Sequence, residues 1–118
     1  MSKTRPEIIR YLKSGIPLFA GFSEELLDKL VNSSRVVSFE PNEAIVHYGA
    51  EATHFGVILS GTVTASVIGE GGARLDLGRL EAGSTFGELA LMTGEKTLAE
   101  LIAATRCEVL LIPVSVFQ

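Results

Sequence analysis

The sequence is poor in cysteine and has no long apolar run. Its 118 residues include one cysteine, Cys107, which excludes an internal disulfide framework and is typical of a reducing compartment. No stretch approaches the ~18 apolar residues of a membrane-spanning helix, and the first residues do not lead into a secretory signal. With 10 basic and 14 acidic residues the net charge is −4, which argues against direct nucleic-acid binding. We therefore expect a cytoplasmic domain with no membrane segment.

The composition is that of a folded domain. Hydrophobic residues make up 47% of the chain and charged residues 20%, far from the signature of disorder. The length suits a single domain, residues 1–118, and a chain of this size buries roughly two-thirds of its unfolded surface. Residues 1–31 have the pattern of helices, and residues 35–114 have mostly the pattern of strands.

Two helices are predicted near the N-terminus. Pro6 marks the start of the first helix and Gly15 its end. Ser23 is a good N-cap for the second helix. Phe22 before this cap and Leu27 after it have the spacing of a hydrophobic staple.

The remaining chain predicts an antiparallel sandwich or barrel. Residues 57–68 alternate between apolar and polar, and Gly61 inside them predicts a bulge or a close backbone approach. The apolar residues of this run fall on one predicted face: Val57, Leu59, Val63, Ala65 and Val67. The glycine-rich stretch 69–72 predicts a hairpin turn, and a strand pair at 98–105 and 108–114 follows. Short strands with glycine-rich turns, preceded by helices, favour this architecture.

One segment, residues 86–94, interrupts the strands with good helix formers. Gly83 and Gly87 permit a tight backbone, and residues 88–92 have room for one short helix whose free amide groups could bind an anion. The ionised carboxylate of Glu88 only accepts hydrogen bonds, so it suits a sugar hydroxyl. Together these features indicate a nucleotide-like site. The alternative is an ordinary connection that buries Leu89, Leu91 and Met92 in the core.

Five segments in sequence order resemble the cyclic nucleotide-binding domain family, which includes the catabolite activator protein, the regulatory subunits of protein kinase A and cyclic nucleotide-gated channels. The segments are PLFAGFSEELLDKL, FEPNEAIVHYG, FGVILSGTVTASV, LEAGSTFGELALMTGE and EVLLIPVSVF. The fourth resembles the phosphate-binding cassette of that family. The resemblance covers roughly residues 16–118.

The resemblance implies a mainly β fold with flanking helices, an eight-stranded antiparallel β-roll of the jelly-roll-like, double-stranded β-helix type. It implies a regulatory domain that senses cAMP or cGMP, has no cofactor and no enzyme activity, and signals to an effector domain or partner protein outside this chain. In the family a helix after the position of Phe117 closes over the base, so we expect this lid to be truncated here. Homodimer formation is left open.

The resemblance also implies ligand-binding roles for individual residues. Glu88 would accept a hydrogen bond from the ribose 2′-hydroxyl, and the backbone amides around Gly87, Leu89 and Ala90 would face the cyclic phosphate. The complete set of expected ligand-binding residues is Phe86, Gly87, Glu88, Leu89, Ala90, Thr97 and Leu98 in and after the cassette, with Val63, Leu75 and Leu77 as apolar wall near the base.

The cassette departs from the family at the arginine that pairs with the phosphate. Aligned without gaps from Phe86, this position holds Thr97, and Leu98 follows where the family has a small residue. Lys96 cannot reproduce the two-point fork of a guanidinium. Loss of one partner of a buried charge pair weakens binding by about 2–5 kcal/mol, or roughly 30- to 4,000-fold. Weak cAMP binding is therefore expected. Ala50, where the family often has aspartate, is interpreted as a turn variation without consequence for the ligand.

Two alternatives to cyclic nucleotide binding stay open. The domain could be a degenerate β-roll that serves as an interaction or dimerisation module, or its pocket could hold a ligand with less negative charge.

His47 and His54 lack a metal-ligand pattern, so no metal site is predicted. Cys107 is interpreted as a core or edge residue, and no catalytic set of residues is evident.

Overall fold

The computed structural model describes residues 3–51, 53–87, 97 and 99–117. Two α-helices come first, α1 (Arg5–Gly15) and α2 (Glu24–Ser33). Eight strands follow in the described part of the chain: β1 (Arg35–Phe39), β2 (Ala44–Val46), β3 (His54–Ser60), β4 (Val63–Ile68), β5 (Arg74–Leu80), β6 (Thr85–Phe86), β7 (Ala99–Ala103) and β8 (Cys107–Pro113). Within the described residues, no helix has the length and apolar character needed to cross a membrane.

The helix boundaries follow from local capping. The Ser23 hydroxyl accepts a hydrogen bond from the Leu26 amide at 3.1 Å, which confirms the predicted cap of α2. At α1 the cap is Thr4, which forms a reciprocal capping box with Glu7. Pro6 lies in the first turn and Gly15 is the last residue of α1, as the sequence predicts.

The eight strands form two antiparallel sheets of four. One sheet has the order β1, β8, β3, β6, and the other has the order β2, β7, β4, β5. Strands adjacent in sequence are therefore often in different sheets, so the chain winds between the two layers. This arrangement confirms the predicted β-roll with a helical flank.

Two hydrophobic clusters hold the molecule together. The first lies between the helices and the outer face of the β3–β8 pair, and it contains Leu12, Phe19 and Leu27 from the helical segment and Val57 and Leu59 from β3. The second lies between the two sheets: Ile58, Val63, Phe86, Leu101, Ala103, Cys107 and Val109. Strand β3 is thus buried on both faces, which explains its continuous apolar sequence.

The prediction that the apolar residues of 57–68 share a single face is wrong. Val57 and Leu59 pack against the helices, whereas Val63 and Ala65 contribute to the cluster between the sheets. The chain changes sheet at Gly61, whose φ is +92° and whose hydrogen faces the backbone of Arg106, where a Cβ would lie 2.4 Å from the carbonyl oxygen. The close backbone approach predicted for this glycine is therefore confirmed, but it serves as a corner between two sheets.

The last two strands exist as predicted, but they do not pair with each other. β7 pairs with β2 and β4, and β8 pairs with β1 and β3. Cys107, the first residue of β8, is fully buried, and its sulfur lies 3.2 Å from the carbonyl oxygens of Thr62 and Thr105, either of which can accept the single thiol proton. The interpretation of Cys107 as a core residue is confirmed. The hairpin predicted at residues 69–72 is also present, between β4 and β5.

Candidate functional site

A cavity of about 310 Å³ opens between the two sheets. This volume lies within the range of roughly 300–1,000 Å³ that small-molecule sites occupy. The described residues that line it come from β2, the loop after it, the start of β3, β6, β7, β8 and the segment between β6 and β7: Ile45, Val46, His47, Ala50, Glu51, Thr53, His54, Phe86, Gly87, Thr97, Ala99, Leu101 and Leu111. Of the predicted ligand-binding residues, the structure brings Phe86, Gly87 and Thr97 together here.

Phe86 is held against the sheet by a glycine on the neighbouring strand. It pairs with Gly56 across the β3–β6 ladder, and a Cβ on Gly56 would lie only 2.0 Å from the Phe86 ring. The missing side chain therefore lets the ring lie directly over β3. Phe86 is 9% exposed and forms an apolar wall of the cavity.

Gly87 continues this wall in a conformation that favours glycine. Its φ is +92°, and a Cβ there would come within 2.9 Å of the His54 carbonyl oxygen. Any side chain would push residues 86–87 away from the start of β3. The cassette glycine thus brings the backbone of this segment close to the cavity.

Thr97 is tied to the opposite loop by three hydrogen bonds. The Gly49 amide donates to the Thr97 carbonyl oxygen at 2.8 Å, and the Thr97 amide donates to the Ala50 carbonyl oxygen at 2.9 Å. The Thr97 hydroxyl donates to the same Ala50 oxygen at 2.9 Å. Thr97 therefore fixes the wall of the cavity. Ala50, interpreted from the sequence as a turn variation without consequence for the ligand, is a lining residue and the partner of Thr97.

The ionisable lining residues that the structure describes are Glu51 and two histidines. Glu51 and His47 are exposed, and His54 is half-buried. The Nδ1 atom of His54 lies 2.8 Å from the Thr53 hydroxyl. Burial holds the pKa of the His54 imidazole below its ordinary value, and the positive charge of Arg35 lowers that pKa further.

The His54 shift predicts how stability depends on pH. In the folded protein the imidazole stays neutral at pH values where the unfolded chain is protonated, so the unfolded state binds more protons and stability falls as the pH drops below about 6.5. We expect the Tm of the native protein to fall more steeply across this window than the Tm of a His54→Gln variant. Parallel Tm profiles for the two proteins would contradict this assignment.

The other predicted ligand-binding residues are not among the described lining residues. Glu88, Leu89, Ala90 and Leu98 lie outside the residues that the structure describes, as does the short helix predicted over residues 88–92. Val63 is fully buried in the cluster between the sheets. Leu75 and Leu77 are 56% and 61% exposed on the edge strand β5. The structure does not bring these three side chains to the described walls of the cavity, and their role near a base stays a prediction.

Basic side chains on the β4–β5 hairpin are also separate from the described cavity walls. Arg74 pairs with the mostly buried carboxylate of Glu100 at 2.5 Å, and Arg79 is exposed. Among the described residues, no group of three or more His, Cys, Asp or Glu side chains converges as a metal site would require.

Sequence reasoning did not identify the apolar half of the cavity. Ile45 and Val46 come from β2, Leu101 from β7 and Leu111 from β8. These strands are far apart in sequence and meet only through the sheet topology. Their alternating apolar pattern indicates strands but does not tell which apolar residues face a ligand.

Comparisons with known proteins agree with this geometry. At 29% identity over 75% of the chain, it is similar to the cAMP-dependent protein kinase regulatory subunit of Mycosarcoma maydis, of which it covers 17%. The regulatory domain of Toxoplasma gondii protein kinase A, solved with cAMP, is 26% identical with a TM-score of 0.87, covering 96% of this chain and 43% of that one.

A second similar solved structure has the same fold and contains a ligand other than cAMP. It is the regulatory subunit of a cAMP-independent protein kinase A from Trypanosoma cruzi bound to guanosine, 25% identical with a TM-score of 0.87. The match covers 96% of this chain and 40% of that one, so the chain spans less than half the length of each of these relatives. The family model for the cyclic nucleotide-binding domain matches residues 36–118. The chain therefore belongs to the cyclic nucleotide-binding domain family.

Proposed function

We propose that the cavity between the two sheets is the ligand site of a cytoplasmic sensing domain that binds a purine ribonucleoside unit and binds cAMP weakly. The observation that carries this proposal is the meeting of Phe86, Gly87 and Thr97 around one cavity. Phe86 and Gly87 belong to the cassette, and Thr97 follows it in the sequence. A ligand held there would contact both sheets, so its binding could alter their packing.

The relatives support the ligand class. The Toxoplasma gondii structure contains cAMP and the Trypanosoma cruzi structure contains guanosine, and both share the fold of this chain. A ribose carrying a purine is common to the two ligands. We further propose that an effector domain or partner protein responds to ligand binding by this domain. In this proposal no additional cofactor takes part, and the domain itself catalyses no reaction.

Substitution of Gly87 tests the proposed site. Isothermal titration calorimetry measures the affinities of the native protein and the variant for cAMP, cGMP, adenosine and guanosine. A Gly87→Ala variant combines an unfavourable φ of +92° with a Cβ that would lie 2.9 Å from the His54 oxygen, so the wall must move. We expect binding to weaken by about 5-fold or more, since backbone strain of this kind amounts to ~1–3 kcal/mol.

The matched control is Gly72→Ala. Gly72 also has a positive φ, +81°, but a Cβ there would meet nothing within 4 Å, and the residue lies in the hairpin turn before β5. Its ligand affinities should equal those of the native protein. Absence of binding by all four compounds at millimolar concentration would refute the proposed function, as would equal losses in the two variants.

A further inference from the structure

We infer that this cavity selects a neutral ribonucleoside with free hydroxyl groups over the cyclic monophosphate of the same base. This inference rests on the proposed function, because it assumes that a nucleoside unit binds between the sheets. It concerns the charge and hydrogen-bonding character of the part of the ligand that faces Thr97.

The Thr97 hydroxyl is already engaged in a hydrogen bond within the protein. A hydroxyl has one proton to donate and two lone pairs that accept. The Thr97 hydroxyl donates its proton to the Ala50 carbonyl oxygen at 2.9 Å. That oxygen also accepts the Thr97 amide at 2.9 Å, so the proton is held where the backbone already joins the two segments. In this arrangement Thr97 offers a ligand only lone pairs.

The free lone pairs of the Thr97 hydroxyl favour a ligand group that donates a hydrogen bond, such as a sugar hydroxyl, over a phosphate oxygen. The non-bridging oxygens of a cyclic phosphate are anionic and accept hydrogen bonds without donating any. Beside the Thr97 hydroxyl, these phosphate oxygens would face the lone pairs of another acceptor. To accept the hydroxyl proton, they would have to replace its hydrogen bond to Ala50. A nucleoside retains the free 3′- and 5′-hydroxyl groups that the cyclic phosphate ties up, and each of these can donate. Thr97 is therefore complementary to the nucleoside.

The described walls of the cavity have no basic side chain other than histidine. Lining residues with side chains that could be charged are Glu51, His47 and His54, and the described part of the lining includes neither lysine nor arginine. Glu51 adds negative charge, and the lowered pKa of His54 favours its neutral form near pH 7. Arg74 of β5 is paired with Glu100 of β7, across the intervening strand β4. The described side chains of the lining would therefore give an anion little compensation for the hydration that it loses on entry.

The experiment compares guanosine with cGMP, which share a base and differ in the phosphate. Calorimetry at pH 7.5 and constant ionic strength is performed on the native protein and on Thr97→Val and Thr97→Ser variants. Valine keeps the shape of threonine and removes the hydroxyl, whereas serine keeps the hydroxyl. We expect the native protein to bind guanosine ~10-fold or more tightly than cGMP.

The variants separate recognition from a general loss of structure. Thr97→Val should weaken guanosine binding by about 2- to 10-fold without weakening cGMP binding, while Thr97→Ser should keep the native preference. If valine weakens both ligands equally, Thr97 only supports the wall, and the inference is overturned. Native binding of cGMP as tight as that of guanosine also overturns it and leaves the proposed function standing. If neither ligand binds the native protein, the proposed function is overturned as well.

Discussion

Replacing Thr97 with arginine is expected to tighten cAMP binding by about 30-fold or more. Thr97 lines the cavity at the position where the family has the arginine that pairs with the phosphate. A guanidinium there would supply the positive charge that the described walls lack, in a planar fork that matches two phosphate oxygens. The substitution removes the hydroxyl bond to Ala50, a loss of about 1 kcal/mol, which is smaller than the expected gain.

A Thr97→Gln variant is the control for the arginine experiment. Glutamine adds length and hydrogen-bonding groups and removes the same bond to Ala50, but it carries no charge. Calorimetric titration with cAMP should therefore show the gain for arginine alone, and added salt should reduce that gain. Guanosine, which has no phosphate, should not gain from the arginine. Equal cAMP affinity in the arginine and glutamine variants would show that Thr97 does not face the phosphate.

Gly61→Ala is expected to destabilise the fold by about 2–5 kcal/mol and to lower the Tm by roughly 10 °C or more. Two effects add at this corner between the sheets. A non-glycine residue is disfavoured at a φ of +92°, and its Cβ would lie 2.4 Å from the Arg106 carbonyl oxygen and 2.7 Å from the Cys107 sulfur. The neighbouring atoms belong to the backbone and to a fully buried side chain, so they have little room to move.

Gly71→Ala separates these two effects. Gly71 has a similar φ, +77°, but a Cβ there would meet nothing within 4 Å. It should show only the conformational penalty of about 1–2 kcal/mol. Thermal and urea unfolding of both variants measure the difference. Equal destabilisation by the two substitutions would contradict the close approach of Gly61 to β8.

The elements that could be predicted from the sequence are those with local causes. The cap at Ser23 and the end of α1 at Gly15 depend on residues within one turn, so the spacing of a few residues reveals them. The β4–β5 hairpin similarly depends on the glycines of its own turn. The β-roll itself was predicted from a resemblance carried by several short segments, since alternation alone permits many sheet topologies.

The features that sequence reasoning missed have long-range causes. The alternating pattern of residues 57–68 continues through Gly61 although the chain changes sheet there: Val57 and Leu59 before this glycine pack against the helices, whereas Val63 after it packs between the sheets. Thr97 was identified as the departure in the cassette, but its hydrogen bonds join it to Ala50, which is 47 residues away. Such a pairing depends on the complete fold and leaves no local signal.

The most direct test of the ligand site is an amide-resolved NMR titration of the native protein with guanosine and, separately, with cAMP. The account predicts saturable shifts at Gly49, Ala50, Gly87 and Thr97, which the structure places around or beside the cavity, and saturation at a lower concentration of guanosine than of cAMP. Shifts confined to α1 and α2, or no shift at those four amides at millimolar concentrations of either compound, would contradict it.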